Sequence, residues 1–147
     1  MILVTVGTTP FEGLIKAADV LDTGDEVIIQ KAAGKYRPQN KQFFEYIEDF
    51  DQYLKKAEVV ITHGGAGTLF KLLRMGKKVV GVANTERMDK HQPDLLKKLS
   101  GEGYIVWCQD VNDLAKCLRE VQKKKLKPYQ PPECTIADEV ISKFASL

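Results

Sequence analysis

Three cysteines, Cys108, Cys117 and Cys134, stand in 147 residues without C-x-x-C spacing. An odd number so placed excludes a disulfide framework or a cysteine-ligated zinc site and fits a reducing cytoplasm. No apolar run approaches the roughly 18–20 residues that span a bilayer. The start MILVTVGTTP also lacks the basic segment of an export signal, so the chain is expected neither to span a membrane nor to be exported. Neither sign of charge is in surplus: 22 Lys+Arg face 20 Asp+Glu, a formal net charge of +2. That balance carries no mandate for nucleic acid, and the cluster Lys123, Lys124, Lys125 and Lys127 reads as a solvated helix end. Internal repeats are lacking too. With 44% hydrophobic and 29% charged residues the composition is that of a globular domain, long enough for one core but not for two nucleotide-fold domains with a cleft between them.

What is present is an alternation of short β-branched runs with helical periodicity, the pattern of βαβ units around a parallel sheet. Strands are expected at Ile2 to Val6, Glu26 to Gln30, Phe43 to Ile47, Val59 to Thr62, Lys78 to Ala83 and Tyr104 to Cys108. The first helix carries Phe11, Leu14, Ile15, Ala18 and Leu21 on one face; Thr9 as its cap, Pro10 at its first position and Glu12 in a capping box would start it. Further helices carry Phe50, Tyr53, Leu54 and Ala57; Leu69, Leu72 and Leu73, stopped by Gly76; Leu95, Leu96 and Leu99, opened by Pro93 and closed by Gly101; and Val111, Leu114, Leu118 and Val121, started at Asp110. The polar stretch Lys31 to Gln42 reads as a mobile loop and a possible lid. The class is α/β, a Rossmann-like parallel sheet with helices on both faces. The expected divisions are a domain over 1–126, a Pro-rich extended linker over 127–134, and a C-terminal helix over 135–147 with Ile136, Val140, Ile141 and Phe144 on one stripe. That stripe packs either on the chain's own sheet or on a partner.

Ligands of an open parallel sheet bind beyond the carboxyl ends of its strands. Three polar turns fall on that edge: Gly7-Thr8-Thr9, His63-Gly64-Gly65-Ala66-Gly67-Thr68, and the loop ending in His91-Gln92. In the second, glycines admit a ligand close to the backbone while the amides and dipole of the following helix favour an anion, best a phosphate or diphosphate. The same pattern serves tight strand-to-helix packing, and the residues alone leave both readings open. It is neither the G-x-G-x-x-G fingerprint nor a P-loop. Asp49-Phe50-Asp51 spells a D-x-D but precedes a helix instead of ending the strand beside the glycine turn, so no metal site is expected. His63 can orient its turn or touch a ligand. His91 and Gln92, held extended before Pro93, form a polar pair with no structural task. Thr9 is a cap or a ligand contact. The cysteines have no base partner and read as packing residues.

Val4-Thr5-Val6-Gly7-Thr8-Thr9-Pro10-Phe11, Val27-Ile28-Ile29-Gln30, Phe44-Glu45-Tyr46, Val60-Ile61-Thr62-His63-Gly64-Gly65-Ala66-Gly67-Thr68 and His91-Gln92 occur in one order over about the first hundred residues. Together they resemble the C-terminal half of the family 28 glycosyltransferases in its stand-alone form. That form is the soluble subunit of two-part UDP-N-acetylglucosamine transferases acting on dolichol-linked oligosaccharide, and of bacterial exopolysaccharide and capsule transferases. The resemblance implies a GT-B half-domain holding a UDP-sugar donor. It implies diphosphate at His63 to Thr68, the turn Gly7 to Thr9 facing the same cleft, His91 and Gln92 near the donor sugar, and the backbone at Tyr46 and Ile47 along the uracil ring. In one place the chain departs from the family: many members have an acidic residue at the position of Lys71, where it holds the ribose hydroxyls, and a lysine cannot accept those bonds.

The expected activity is inverting transfer from a UDP-sugar to a lipid-linked acceptor, with no cofactor or metal. His63 and His91 are the near-neutral candidates for proton transfer. The resemblance implies that a membrane-anchored partner subunit supplies the acceptor and the base, holding this cytoplasmic chain at the membrane. A self-sufficient small enzyme using His91 and a non-catalytic nucleotide-sugar-binding or regulatory module are the rivals.

Overall fold

The computed structural model describes residues 1–63, 65–86 and 91–129; for His91 and Gln92 the backbone alone is described. Elements follow in the order β1 (Ile2–Thr5), α1 (Glu12–Asp19), β2 (Val27–Gln30), β3 (Gln42–Phe44), α2 (Phe50–Lys56), β4 (Val59–His63), α3 (Ala66–Arg74), β5 (Lys78–Val82), α4 (His91–Gly101), β6 (Val106–Cys108), a 3-10 turn Val111–Asp113 and α5 (Leu114–Lys123). All the strands pair in parallel, in the order β3-β2-β1-β4-β5-β6. The chain builds outward from β1 through β2 to β3, then crosses to β4 on the other side of β1. Strand order therefore reverses between β1 and β4, where such sheets open a crevice beyond the strand ends.

Both faces of the sheet are covered. Alternate strand residues Ile2, Val4, Ile29, Ile61 and Val80 pack with Leu14, Ile15 and Ala18 of α1 and with Leu114, Leu118 and Val121 of α5. The other set, Leu3, Ile28, Val60 and Val79, packs with Leu54, Leu69, Leu72, Leu73, Leu95, Leu96 and Leu99 of α2, α3 and α4. Burial on both sides explains strands written as unbroken Val/Ile/Leu runs, without the polar alternation of a half-exposed sheet. Each fully buried large apolar side chain is worth roughly 1.5–3 kcal/mol relative to exposure.

Helix ends follow local signals in part. Gly76, at φ 72°, ends α3 with Gly76 and Lys77 N–H groups bonded back to Leu73 and Leu72 carbonyls. Asp110 accepts from the Asn112 amide at 2.9 Å and starts the 3-10 turn that leads into α5. After α4 the left-handed residue is Gly103, φ 83°, not Gly101. The Tyr104 amide bonds the Leu99 carbonyl across it. His91 and Gln92 lie inside the first turn of α4 instead of extending before it, because a proline is tolerated in a first turn, where its missing N–H has no partner to lose.

The expected start of α1 is overturned. Its first residue is Glu12, Phe11 stands at the cap, and no side chain there caps it locally. The amides of Glu12 and Gly13 instead donate to the carboxylate of Glu86, at 2.9 and 2.6 Å. The Glu12 carboxylate, freed from a capping box, accepts from the Tyr36 amide at 2.9 Å.

Nor is Lys31 to Gln42 a free lid. Asp19, 1% exposed, accepts from Tyr36 Oη at 2.7 Å and from the amides of Gln39, Asn40 and Lys41 at 2.9, 2.8 and 3.2 Å. The Lys31 ammonium bonds the Gly34 carbonyl and that of Lys41 bonds Leu21. A polar stretch reads as mobile only when nothing beneath it needs its donors, and Asp19 does.

The first residues of the expected linker lie on the domain. The Lys127 amide bonds the Gly103 carbonyl at 3.0 Å, and Tyr129 packs edge-on to Tyr104 and beside Phe70. The expected helix over 135–147 lies outside the described residues, as does Cys134. No helix among the described residues is long and apolar enough to cross a membrane.

Candidate functional site

β1 and β4 are in register, Thr5 beside Thr62, so the turns that follow them emerge side by side. Gly7 turns the chain at φ 64°, a left-handed conformation that costs a side-chain-bearing residue energy. His63, half-buried at the end of β4, lies between the two turns. A methyl on Gly7 would sit 3.6 Å from its Nε2, and one on Gly65 would sit 3.1 Å from its Cε1. Of the three turns expected to converge, those of Gly7 and Gly65 meet at His63.

Gly65 is the cap residue of α3 and gives its N–H to the His63 carbonyl at 2.9 Å. The helix then begins with Ala66, Gly67 and Thr68, whose amides have no partner within a helix, and no described side chain caps them. Ala66 is buried and Thr68 half-buried, while Gly67 is exposed and a methyl there would meet nothing within 4 Å. The two readings of the glycine turn thus separate by residue. Gly65 is limited by contact with His63; Gly67 answers to no packing demand from the described residues. Of the helix N-termini on this edge, that of α1 is filled by Glu86, while among the described residues no side-chain carboxylate bonds that of α3.

A residue outside the expected site holds it together. Gln30, at the end of β2 and 4% exposed, accepts on its amide oxygen from Thr5 Oγ1 (2.6 Å), the Val6 amide (3.2 Å) and the Gly7 amide (2.9 Å). Its NH2 group donates to the carbonyls of Gly7 (2.8 Å) and Glu45 (2.7 Å). One side chain thereby fixes the Gly7 turn and ties it to the segment bearing Tyr46 and Ile47. Tyr46 is 57% exposed; Ile47 is half-buried against the α2–α3 core. In sequence Gln30 is legible only as a polar residue closing an apolar strand within one of the segments shared with the family, with no sign of its bonds.

Of the remaining expected residues, Thr8 is exposed and Thr9 half-buried. The Thr9 amide bonds Val6 O at 3.3 Å, closing the turn and not capping a helix. Gly64 and the side chains of His91 and Gln92 lie outside the described residues. The loop leading to them is nonetheless anchored beside the site: Asn84 donates to the Pro10 carbonyl at 3.1 Å and accepts from the Glu86 amide at 3.1 Å, and Glu86 holds α1.

Lys71 forms an exposed ion pair with Asp51, Nζ to Oδ1 2.8 Å. The bond from Lys71 holds the Asp51 carboxyl below its usual value. The last residue of the D-x-D is thus engaged by an ammonium, and among the described residues no three His, Cys, Asp or Glu gather in a metal-binding group. Cys108 and Cys117 are buried; burial first, and contact with Cys117 next, push the Cys108 thiol up to about 12. At neutral pH it is not a thiolate nucleophile.

The comparisons agree with this geometry. The human UDP-N-acetylglucosamine transferase subunit ALG13 is 31% identical over 122 residues, 73% of this chain but 11% of that protein. The Yarrowia lipolytica protein of the same name is 26% identical over 166 residues, covering 99% of this chain and 85% of its own. The chain thus spans about a tenth of the length of the human relative and most of the yeast one. Among solved structures, the solution structure of ALG13 superposes with a TM-score of 0.63 at 21% identity, covering 98% of this chain and 94% of that one. Acinetobacter baumannii MurG superposes with 0.64 at 19%, covering 99% of this chain and 49% of that one. At these identities the likeness is one of fold, a GT-B one, and the chain matches about half of the MurG chain. The model of the glycosyltransferase family 28 C-terminal domain matches residues 1–146. The parallel sheet, its paired turns and that match make this chain a member of the glycosyltransferase family 28 C-terminal-domain family.

Proposed function

We propose that the chain is the donor-binding subunit of a two-component, inverting UDP-sugar glycosyltransferase, completed by a membrane-anchored subunit that brings a lipid-linked acceptor. The observation that carries it is the α3 N-terminus, which no side chain among the described residues caps and where a methyl on Gly67 meets nothing described, beside His63 and the Gly7 turn. The names of the relatives support UDP-N-acetylglucosamine as the donor. In this reading the diphosphate rests on the amides of Ala66 to Thr68, which stabilise the charge that grows on it as the glycosidic bond breaks, a task those dipoles perform without a cation. Uracil lies along the backbone at Tyr46 and Ile47, and His91 and Gln92 approach the sugar. The acceptor hydroxyl attacks the anomeric carbon from the opposite face and gives its proton to a base, assigned to the partner with His63 and His91 as the candidates on this chain.

Half a cleft leaves much of the ligand in water, whereas good sites bury most of theirs. UDP titrated into the full chain, followed by NMR, is expected to give dissociation constants of high micromolar to millimolar, about −4 to −6 kcal/mol. Gly67→Val is expected to weaken this tenfold or more by filling the approach to the amides, and to leave the melting temperature within a few degrees. No binding at millimolar UDP, or binding and stability lost together, would return the turn to a packing role.

The ribose hydroxyls need an acceptor that Lys71 lacks, and Asp51, 2.8 Å from it, supplies a carboxylate at that place. Asp51→Ala is expected to weaken UDP roughly tenfold, the worth of hydrogen bonds to a charged group, while inorganic diphosphate binds as before. Equal weakening of both would show that Asp51 acts only through Lys71.

A further inference from the structure

At the opposite end of the sheet from the proposed donor site, where α3 and α5 end and β5 begins, lies an open groove of about 410 Å³. Lys77, Lys78, Lys123, Lys124, Lys125 and Lys127 line it, and none of its described lining residues is Asp or Glu. Among the described residues no carboxylate stands within ion-pair distance of these six ammonium groups. Two carboxylates, Asp25 and Glu58, line the adjoining groove that shares Lys78, and Glu102 lies near Tyr129. The chain is nearly neutral overall, so the six charges are a local concentration. The sequence reading of the last four as a solvated helix end does not account for Lys77 and Lys78, which arrive from a different element.

We infer that this face is a docking surface for an anionic lipid bilayer. Three features favour an extended anionic sheet over a discrete phosphate. First, the groove lies at helix C-termini, whose carbonyls repel a compact anion: Lys78 Nζ already bonds the Gln122 carbonyl, and Lys77 Nζ the Lys55 carbonyl, each at 3.0 Å. Second, its charge comes from lysines on flexible stems, with no guanidinium fork in the lining; lysine is a point charge without the planar geometry that selects one phosphate. Third, the wall is a rigid aromatic pair, Tyr104 and Tyr129 edge-to-face at 5.4 Å, with Lys127 Nζ 5.6 Å over the Tyr104 ring. Rings with an apolar body and a polar tip suit the headgroup level. Lying at the far end of the sheet, the surface can adsorb while the donor edge stays free. The inference does not depend on what that edge binds.

The test is co-sedimentation of the full chain with vesicles of phosphatidylcholine alone or with about a third phosphatidylserine. Binding is expected to the anionic vesicles only, and to fall steeply between about 50 and 300 mM salt as the surface field is screened. Each neutralised lysine is expected to cost roughly fivefold in partitioning, so K123Q/K124Q/K125Q/K127Q loses about two orders of magnitude or more. These four are exposed, so its melting temperature and UDP affinity should stay those of the parent. A control on α4, K97Q/K98Q, should bind vesicles undiminished. Binding to neutral vesicles alike, an unaffected quadruple variant, or tighter binding to a single-stranded RNA of equal charge than to the vesicles would overturn the inference.

Discussion

Gln30→Leu is expected to destabilise the chain by about 2–4 kcal/mol and to abolish UDP binding together with it. Leucine fills nearly the same volume, so the loss is one of hydrogen bonds and not of packing. The Gly7 amide then has only the long 3.4 Å contact with Thr5 Oγ1, and the Gly7 and Glu45 carbonyls lose the donor that joins them. Orphaned buried polar groups cost roughly 1–3 kcal/mol each, offset where water reaches them. At roughly 2–4 °C per kcal/mol for a chain of this size, the melting temperature should fall by about 5–15 °C. The amide resonances of Gly7 and Tyr46 should shift together, because one side chain holds both segments. A melting temperature within about 2 °C of the parent would show that the turn keeps its shape without Gln30.

An equally large loss, about 3–5 kcal/mol, is expected from Asp19→Ala. The carboxylate is the acceptor for three amides and a hydroxyl in the segment between β2 and β3. Burial works against its charge, but the bonds from Gln39, Tyr36, Asn40 and Lys41 together outweigh that and hold its pKa below the ordinary carboxylate value. The linkage follows in sign. With the folded pKa depressed, the stabilisation is fully present above the unfolded value of about 4 and is lost as pH falls through the folded one. Asp19→Asn, whose amide cannot serve four donors, should therefore melt well below the parent at pH 6, with the gap narrowing below about pH 4. The same bond raises the Tyr36 phenol, so a Tyr36→Phe melt that matched the parent at every pH would remove the hydroxyl from the account. Hydrogen exchange at Gln39 to Lys41 should quicken in the alanine variant; slow exchange there would show that the loop is held by something other than Asp19.

These two residues mark how far the sequence could be read. The alternation of β-branched runs with helical faces was enough for an α/β parallel sheet. Gly76 and Asp110 acted as the stop and start that their chemistry demands. The glycine turn after β4 stood out because its signal is local: a strand, a run of small residues and a helix face within about a dozen positions. Residues that act on neighbours in sequence are legible because the chain itself supplies the geometry.

Tertiary structure decided the rest. Thr9, Pro10 and Glu12 spell a capping box, yet α1 is capped by Glu86 from 74 positions away, since a bidentate carboxylate on two amides displaces a weaker local hydroxyl cap. The polar stretch after β2 reads as a lid, yet Asp19 pins it from 20 to 22 positions away. Lys71 on α3 pairs with the carboxylate of Asp51 on α2, 20 positions away. In each case the partner lies on another element, and only closure of the sheet brings the two together. Alternation of residue type, spacing and turn chemistry determined which segments are strands and helices and at which edge the Gly7 and Gly65 turns emerge. Which polar side chains hold that edge in shape was set by distances between segments that no local pattern encodes, because a buried donor or acceptor takes whatever partner the packed fold brings within reach.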